Sequence, residues 1–148
     1  MDVHSPSVRS KNMRAIRNKD TQPEMCLRKA LHANGFRFRL CVKKLPGTPD
    51  IVLPKYHAVI FVHGCFWHGH SCHLFKWTST RPEFWREKIG RNRANDHKAT
   101  EALLASGWRV GIVWECAMRG AGKKTIEDVT QSLSDWLRSN APFIEERG

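Results

Sequence analysis

The sequence predicts an α/β fold in which a mixed β-sheet is flanked by helices. Apolar residues recur with helical spacing near both ends of the chain, short apolar runs between them have the length of strands, and turn-forming residues separate the two kinds of segment. The resulting order is a helix, three strands, a long helix, a strand and a last helix, which is typical of a sheet packed against helices. At 148 residues, the chain has the length of one domain.

The first helix is predicted over residues 21–34. Thr21 and Glu24 have the spacing of a capping box, and Gly35 is a typical helix stop. Three strands are expected next: one with alternating apolar and basic residues, one that starts with an acid after a turn-forming segment, and one that is continuously apolar. These strands are Phe36–Leu40, Asp50–Leu53 and Ala58–Val62.

The second half of the chain is predicted to hold two helices and one strand. Residues 63–80 are rich in histidine, cysteine and aromatic residues and have no regular period. A long helix over 82–106 ends at Gly107, a strand over 108–114 follows, and an amphipathic helix covers 124–139. The end of the chain is expected only to cover the core.

The charge distribution indicates a polyanionic partner. The net charge is +11, with a pI of about 9.9. Residues 9–44 carry eleven Lys and Arg against two acids, and residues 76–98 carry seven against three, whereas the last 26 residues are slightly acidic. We therefore expect a basic face built from the first two thirds of the chain, with residues 1–20 as a basic arm or short helix before a single domain over 21–148.

The five cysteines and the lack of a targeting segment indicate a cytosolic protein. An odd number of cysteines argues against a disulfide framework and favours metal binding or buried thiols. The chain has no apolar stretch long enough to cross a bilayer, and its start has no apolar signal core. Cys26 and Cys41 each lie alone on an apolar element and are predicted to be core residues.

The segment 63–73 is a candidate zinc loop, because it packs four histidines and two cysteines into eleven residues. Two cysteines cannot complete a tetrahedral site, and Cys116 follows a strand whose end can lie beside the end of the central strand. The candidate ligands are Cys65, His70, Cys72 and Cys116, with His73 as a competitor of His70. The alternative is that Cys72 and Cys116 are ordinary buried thiols.

Asp50 is the candidate centre of an active site. It starts a buried strand, where an acid is unfavourable unless it is paired or binds a metal. The central strand ends at His63, so neighbouring strand ends bring these two residues together. For Mg²⁺-dependent phosphodiester hydrolysis, Asp50 would be the metal ligand, His63 and His68 would orient water or protonate the leaving oxygen, and Glu24 could add a carboxylate. The alternatives are a turn-capping aspartate and a capping-box glutamate.

Five segments, in order from about residue 8 to residue 120, resemble the very short patch repair (Vsr) mismatch endonucleases. They are RSKNMRAI (9–16), LPGTPD (45–50), VIFVHGCFWH (59–68), EFWREKIG (83–90) and GWRV with VWECA (107–117). The GCFWH and WEC strings are specific. The resemblance implies the restriction-endonuclease-like fold of the PD-(D/E)xK type, with Phe61-Val62-His63 in place of the usual Glu-x-Lys, and a structural zinc site.

The resemblance also implies a reaction and its cofactors. The substrate would be double-stranded DNA with a T:G mismatch, which arises when 5-methylcytosine deaminates, and the product one nick 5′ of the mismatched thymine. Asp50 would hold two Mg²⁺ ions with the backbone carbonyl of Val62. Metal-bound waters would contact Glu24, His63 and His68, and Asp96 would support a histidine. The zinc ligands carried over are the four candidates already named.

Three positions depart from the family pattern. Val62 stands where threonine is frequent, but a backbone carbonyl ligand does not depend on the side chain. Gly69 and Ser71 replace further histidines of the loop, which removes no candidate ligand. A companion cytosine methyltransferase, mismatch-repair proteins, a monomeric state and a bacterial cytoplasmic, nucleoid-associated location are further expectations.

Aromatic side chains are candidate wedges at the mismatch, because a weakly stacked pair is easily opened. Other candidates contact phosphates from the long helix or belong to an arm that crosses a groove. The candidate DNA-binding residues are Phe66, Trp67, Trp85, Lys88, Asn92, Met13 and Arg14, with Arg91 and Arg93 as further phosphate contacts. Trp85 could instead be core, as we expect for Trp108, Trp114 and Trp136.

Three other functions fit part of the pattern. A zinc-stabilised DNA-binding module without catalysis would use the same basic face, but would not need Asp50, His63 and His68 together. A nuclease of the same fold could cut perfectly paired sites. An RNA-binding protein fits the charge alone.

Overall fold

The computed structural model describes residues 22–40, 42–65, 80–118 and 124–147. The arm over 1–20, Cys41 and the centre of the histidine-rich segment lie outside these residues. The helices of the described part are α1 (Gln22–Ala33), α2 (Pro82–Ala105), α3 (Glu115–Met118) and α4 (Ile126–Arg138). The strands are β1 (Arg39–Leu40), β2 (Ile51–Leu53), β3 (Ala58–His63), β4 (Arg109–Trp114) and β5 (Phe143–Glu146), with a 3₁₀ turn at Pro54–Tyr56.

The five strands form one mixed sheet in the order β1-β2-β3-β4-β5. The first three are antiparallel, with Ile51 opposite Ile60, whereas β3, β4 and β5 run parallel. In the β3–β4 pair, His63 lies opposite Trp114, so these strands end at the same edge. The predicted α/β class with a mixed sheet is confirmed.

Alternation along β3 explains why helices cover both faces of the sheet. Ile60 and Val62 pack with α1 and α4, for example with Leu27 and Leu133. Val59 and Phe61 point to the other face, whose core includes residues of β4 and Leu103 of α2. Every residue of β3 is buried, as expected for a central strand.

Two helix ends follow their predicted signals, and the structure adds a cap at a third. Gly35 and Gly107 adopt positive φ directly after α1 and α2, which glycine does at little cost. Thr125 caps α4, because its hydroxyl accepts a hydrogen bond from the Asp128 N–H at 3.0 Å. Among the described residues, no helix is long and apolar enough to cross a membrane.

The end of the chain corrects one prediction. It does not only cover the core: β5 pairs with β4 and extends the sheet. The strand is short and half polar, so its backbone pairing leaves little trace in the sequence. One of its acids, Glu146, is buried, accepts a hydrogen bond from Ser132 and pairs with Lys124 at 2.8 Å.

Two smaller predictions are also wrong. Only Arg39–Leu40 of the expected first strand is extended and paired, because β2 offers few residues to pair with. Phe36 still packs in the core. Cys26 is exposed rather than buried, because the buried side of α1 carries Glu24 and Leu27 instead.

Candidate active site

A tight turn places the acid of the LPGTPD segment. The Thr48 N–H donates to the Leu45 carbonyl at 3.1 Å, and Gly47 has a φ of 75°, as a type II turn with Pro46 at its second position requires. A Cβ at Gly47 would lie 2.7 Å from the Cβ of Ala99 on α2. The turn is therefore pressed against α2, which fixes the start of β2.

Backbone strain marks the same turn. Thr48 has a φ of 47°, which is rare for a β-branched residue. Strain of this kind is retained where the surroundings hold it, often at functional sites. Pro49 follows and is buried, and Asp50 comes next.

Asp50 lies against the end of β3. Its Oδ2 accepts a hydrogen bond from the Val62 N–H at 2.7 Å. The pKa of Asp50 is raised to about 7, chiefly by removal of the carboxyl from water; the Val62 hydrogen bond lowers the pKa, and the nearby Glu24 carboxylate contributes to the rise. The Arg28 guanidinium acts in the opposite direction. Asp50 is thus a half-buried acid whose surroundings favour its protonated form.

The backbone carbonyl of Val62 lies on the same side as Asp50. In an antiparallel pair, the N–H and C=O of one residue point toward the same neighbouring strand. Because the Val62 N–H points to Asp50, the Val62 carbonyl also points to the β2 side, just beyond the start of that strand. The Asp50 carboxylate and the Val62 carbonyl oxygen are therefore on the same side of β3.

Glu24 supplies a second buried acid. It lies one turn before Leu27 on the buried side of α1 and is 1% exposed. Its Oε2 accepts a hydrogen bond from Nη2 of Arg28 at 3.0 Å. The sequence predicted Arg28 as part of the exposed basic face, but its side chain is buried beside Glu24. The i,i+4 spacing of the two residues is a signal that could have revealed this pair.

His63 ends β3 on the opposite face of the sheet from Val62 and is 5% exposed. Its ring packs against Phe61 and, edge-on, against Trp114, with centroid distances of 5.5 and 5.1 Å. The indole Nε1 of Trp114 donates to Oε2 of Glu145 at 2.9 Å. Glu145 lies on β5, a strand that the sequence did not predict, so this support of His63 was not predicted either.

The donor set fits a hard divalent cation. Mg²⁺ is usually bound by one or two carboxylates, with waters or substrate phosphates as the other ligands. Asp50 and Glu24 are close enough to influence each other, and burial makes their paired negative charge unfavourable without a cation. In the described part of the chain, no group of three or more His, Cys, Asp and Glu side chains forms a cage of its own.

Two predicted zinc ligands lie at neighbouring strand ends. Cys65 and Cys116 each follow, by two residues, a member of the His63–Trp114 pair, and both are fully buried in one core cluster. Glu115, which precedes Cys116, links the two strand ends, because its Oε1 accepts a hydrogen bond from the Cys65 N–H at 3.2 Å. The predicted ligands His70 and Cys72 lie outside the described residues, as do His68 and His73.

One side of α2 carries the other predicted site residues. Four of them are half-buried and follow helical spacing with buried Ile89 and Ala99: Trp85, Lys88, Asn92 and Asp96. Arg91 and Arg93 are exposed, as phosphate contacts require. The remaining DNA-binding candidates Phe66, Trp67, Met13 and Arg14 lie outside the described residues.

The start of α2 combines cations with aromatic rings. The Arg81 guanidinium lies 4.5 Å from the ring centre of Phe84, and Nζ of Lys88 lies about 6 Å from the rings of Phe84 and Trp85. Phe84 is 39% exposed and was not among the predicted DNA contacts, although it adjoins Trp85. Such a surface suits phosphates and bases together.

Comparison with known proteins identifies a family model that matches half of this chain and relatives that cover most of it. A family model described as "DNA mismatch endonuclease Vsr" matches residues 1–74. The chain is 52% identical to the DNA mismatch endonuclease Vsr of Escherichia coli (strain K12) over 92% of its length and 87% of that protein. It is 49% identical to the type II nicking enzyme V.XorIIP of Xanthomonas oryzae pv. oryzae, over 82% and 89% of the two chains.

A third relative extends the pattern to another genus. The type II nicking enzyme V.NmeAIP of Neisseria meningitidis is 44% identical over 80% of this chain and 84% of its own. These relatives span most of both sequences, and the family model covers half of the chain. The protein therefore belongs to the Vsr family of DNA mismatch endonucleases.

Proposed function

We propose that this protein is a Mg²⁺-dependent endonuclease that nicks double-stranded DNA 5′ of the thymine in a T:G mismatch. The nick would start very short patch repair of deaminated 5-methylcytosine. The observation that carries the proposal is the half-buried Asp50 carboxylate, held against the end of β3, with the buried Glu24 close enough to raise its pKa. A carboxylate and a backbone carbonyl at one strand end, with a second carboxylate on α1 to hold water, suit phosphodiester hydrolysis with Mg²⁺.

Each residue of the site has a distinct task in this proposal. Asp50 and the Val62 carbonyl hold magnesium, which supplies charge neutralisation at the scissile phosphate. Glu24 positions water at the site. His63 and His68 orient the attacking water and donate a proton to the leaving oxygen, and Asp96 supports a histidine. The close packing of His63 against Trp114 supports its part, because a proton donor has to be held in a fixed orientation.

A restriction-endonuclease-like fold with a structural zinc ion completes the proposed architecture. Zinc would be held by Cys65, His70, Cys72 and Cys116. The two cysteines within the described residues support this, since they lie buried at adjacent strand ends that a hydrogen bond from the Cys65 N–H to Glu115 connects. A zinc ion here would fix the loop after β3, and therefore His68, relative to the sheet.

Mismatch recognition is assigned to the aromatic and basic residues near this loop. Phe66, Trp67 and Trp85 would insert at the weakly stacked T:G pair, while Lys88 and Asn92 contact the strand from α2. Met13 and Arg14 of the arm would approach from another groove. The cations that flank Phe84 and Trp85 support an interface at the start of α2.

The proposed setting follows from the reaction. The enzyme would act as a monomer on DNA in the bacterial cytoplasm, because one nick needs one active site. The flanking sequence would match the recognition site of a companion cytosine methyltransferase, and mismatch-repair proteins would act on the same lesion.

An Asp50→Ala variant tests the catalytic part of the proposal. We expect it to lose Mg²⁺-dependent nicking of a T:G duplex but to bind that duplex with unchanged affinity. Asp135→Ala, which changes an exposed acid on α4, is the matched control and should cut normally. Retained cleavage by Asp50→Ala would refute the site. Loss of duplex binding would show that Asp50 has a structural role instead.

A second candidate is cleavage at a fully paired recognition site. It is favoured by the relatives named as type II nicking enzymes. The active-site chemistry would be the same, so only the substrate distinguishes the two: equal nicking of T:A and T:G duplexes would establish this candidate.

A further inference from the structure

Arg28 is a buried cation beside the candidate metal site. Its side chain is 10% exposed, and Nη2 contacts the Glu24 carboxylate at 3.0 Å. Nη1 lies 3.3 Å from the sulfur of Met25 in the same helix. The guanidinium is therefore held on the Glu24 side of α1, whereas a merely solubilising arginine would extend into water.

The same guanidinium acts electrostatically on Asp50. Glu24 destabilises the ionised form of Asp50, and Arg28 stabilises it. With both acids ionised, Asp50, Glu24 and Arg28 together carry a net charge of −1 instead of the −2 of the two carboxylates alone. An incoming divalent cation thus meets a partly neutralised site and a positive charge at close range.

We propose that Arg28 is a built-in counter-ion that competes with the divalent cation for the Glu24 carboxylate and so sets how much Mg²⁺ the enzyme requires. The inference rests on the proposed metal site at Asp50. Without metal, Arg28 keeps the two buried carboxylates compatible with folding. When the cation is present, the negative charge of Glu24 attracts both the cation and Arg28, and the repulsion between these two positive charges lowers the affinity for the metal.

Replacement of Arg28 by an uncharged residue of similar length tests this idea. Arg28→Met should raise the affinity for Mn²⁺, measured by the electron paramagnetic resonance signal of free Mn²⁺ without DNA, by about tenfold or more. The Mg²⁺ concentration for half-maximal nicking should fall by a similar factor. Arg28→Lys keeps the charge and should bind Mn²⁺ nearly as the unmodified protein does. Lys29→Met, which removes an exposed charge from the same helix, is the matched control.

A charge-balanced variant separates electrostatics from damage to the fold. Arg28→Met combined with Glu24→Gln restores the net charge of the site to −1, so its Mn²⁺ affinity should return toward that of the unmodified protein. Arg28→Met alone should unfold at a lower temperature at pH 8, because it leaves a buried acid uncompensated, and added Mn²⁺ should reverse that loss.

The outcomes distinguish this inference from the proposed function. If the Asp50→Asn variant binds Mn²⁺ as tightly as the unmodified protein does, the proposed metal site at Asp50 is refuted. If Asp50→Asn abolishes binding but Arg28→Met leaves the affinity unchanged or lowers it, the site stands and the role of Arg28 is refuted. Weaker duplex binding by Arg28→Met at unchanged Mn²⁺ affinity would likewise refute it and identify Arg28 as a DNA contact.

Discussion

Asp50→Asn should stabilise the metal-free protein while it abolishes cleavage. Asparagine keeps an oxygen that can accept from the Val62 N–H, but it carries no buried charge. Burial raises the pKa of Asp50 from 3.8 to about 7, which is about three pH units at 1.36 kcal/mol each. The ionised carboxylate therefore costs the native state roughly 4 kcal/mol at pH 8, and Asn removes this cost.

The stabilisation expected for Asp50→Asn depends on pH, because it depends on whether Asp50 is ionised. Below pH 4, Asp50 is protonated in both the folded and unfolded chains, so its substitution changes little. As the pH rises from 4 to 7, the unfolded chain has already released this proton whereas the native state still holds it, so the free energy of unfolding falls until the native carboxyl also ionises near pH 7. The advantage of Asp50→Asn should therefore grow between pH 4 and pH 7 and stay constant above.

Urea unfolding with EDTA present, repeated from pH 4.5 to pH 8, measures this difference. At pH 8, the unfolding temperature of Asp50→Asn should also be higher by about 10 °C. Added Mg²⁺ should stabilise only the unmodified protein. The exposed Asp135→Asn is the control and should show no such trend. If Asp50→Asn instead lowers the free energy of unfolding by the same amount at pH 8 as at pH 4.5, the electrostatic reasoning is refuted.

Three further predictions test the residues that are proposed to hold the active site in position. Gly47→Ala should lower the free energy of unfolding, measured in urea, by about 2–4 kcal/mol, because the added Cβ would overlap Ala99. Gly35→Ala is the control: its Cβ would meet open space, so the free energy of unfolding should fall by only about 1–2 kcal/mol. Glu145→Ala should lower kcat for nicking about tenfold at unchanged KM, because it releases the Trp114 indole that packs on His63. Glu145→Gln keeps an oxygen that can accept from the indole and should restore kcat. An equal loss of kcat in both variants would refute a positioning role for Glu145. Dialysed protein should retain about one zinc by atomic absorption. Cys116→Ser should lose it and the exposed Cys26→Ser should keep it, and zinc retained by Cys116→Ser would exclude this ligand.

Local signals predicted most of the fold. The glycines after α1 and α2, and the apolar run of β3, are strong signals that depend only on neighbouring residues, and the structure has these elements within a few residues of their predicted bounds. The side-by-side position of Asp50 and the end of β3 also followed from the sequence, because a short connection between two strands favours an antiparallel pair.

The missed features depend on distant contacts. β5 is stabilised by backbone pairing with β4 and by the contacts of Lys124 and Ser132 with Glu146. The four residues of β5 alone predict none of these contacts. The burial of Arg28 depends on where α1 packs, since the same residue on an exposed face would be an ordinary surface charge. For the same reason, Cys26 was assigned to the wrong side of the helix.

The most direct test is strand cleavage of short duplexes that are identical except for T:G or T:A at one position, in Mg²⁺, over a library of flanking sequences. A single nick 5′ of the thymine in T:G duplexes alone, absent with EDTA, is the result that the proposed function predicts. Equal cutting of T:A duplexes would contradict mismatch specificity and identify a site-specific nuclease. Tight binding without cutting in any duplex would contradict the catalytic assignment and favour a DNA-binding module.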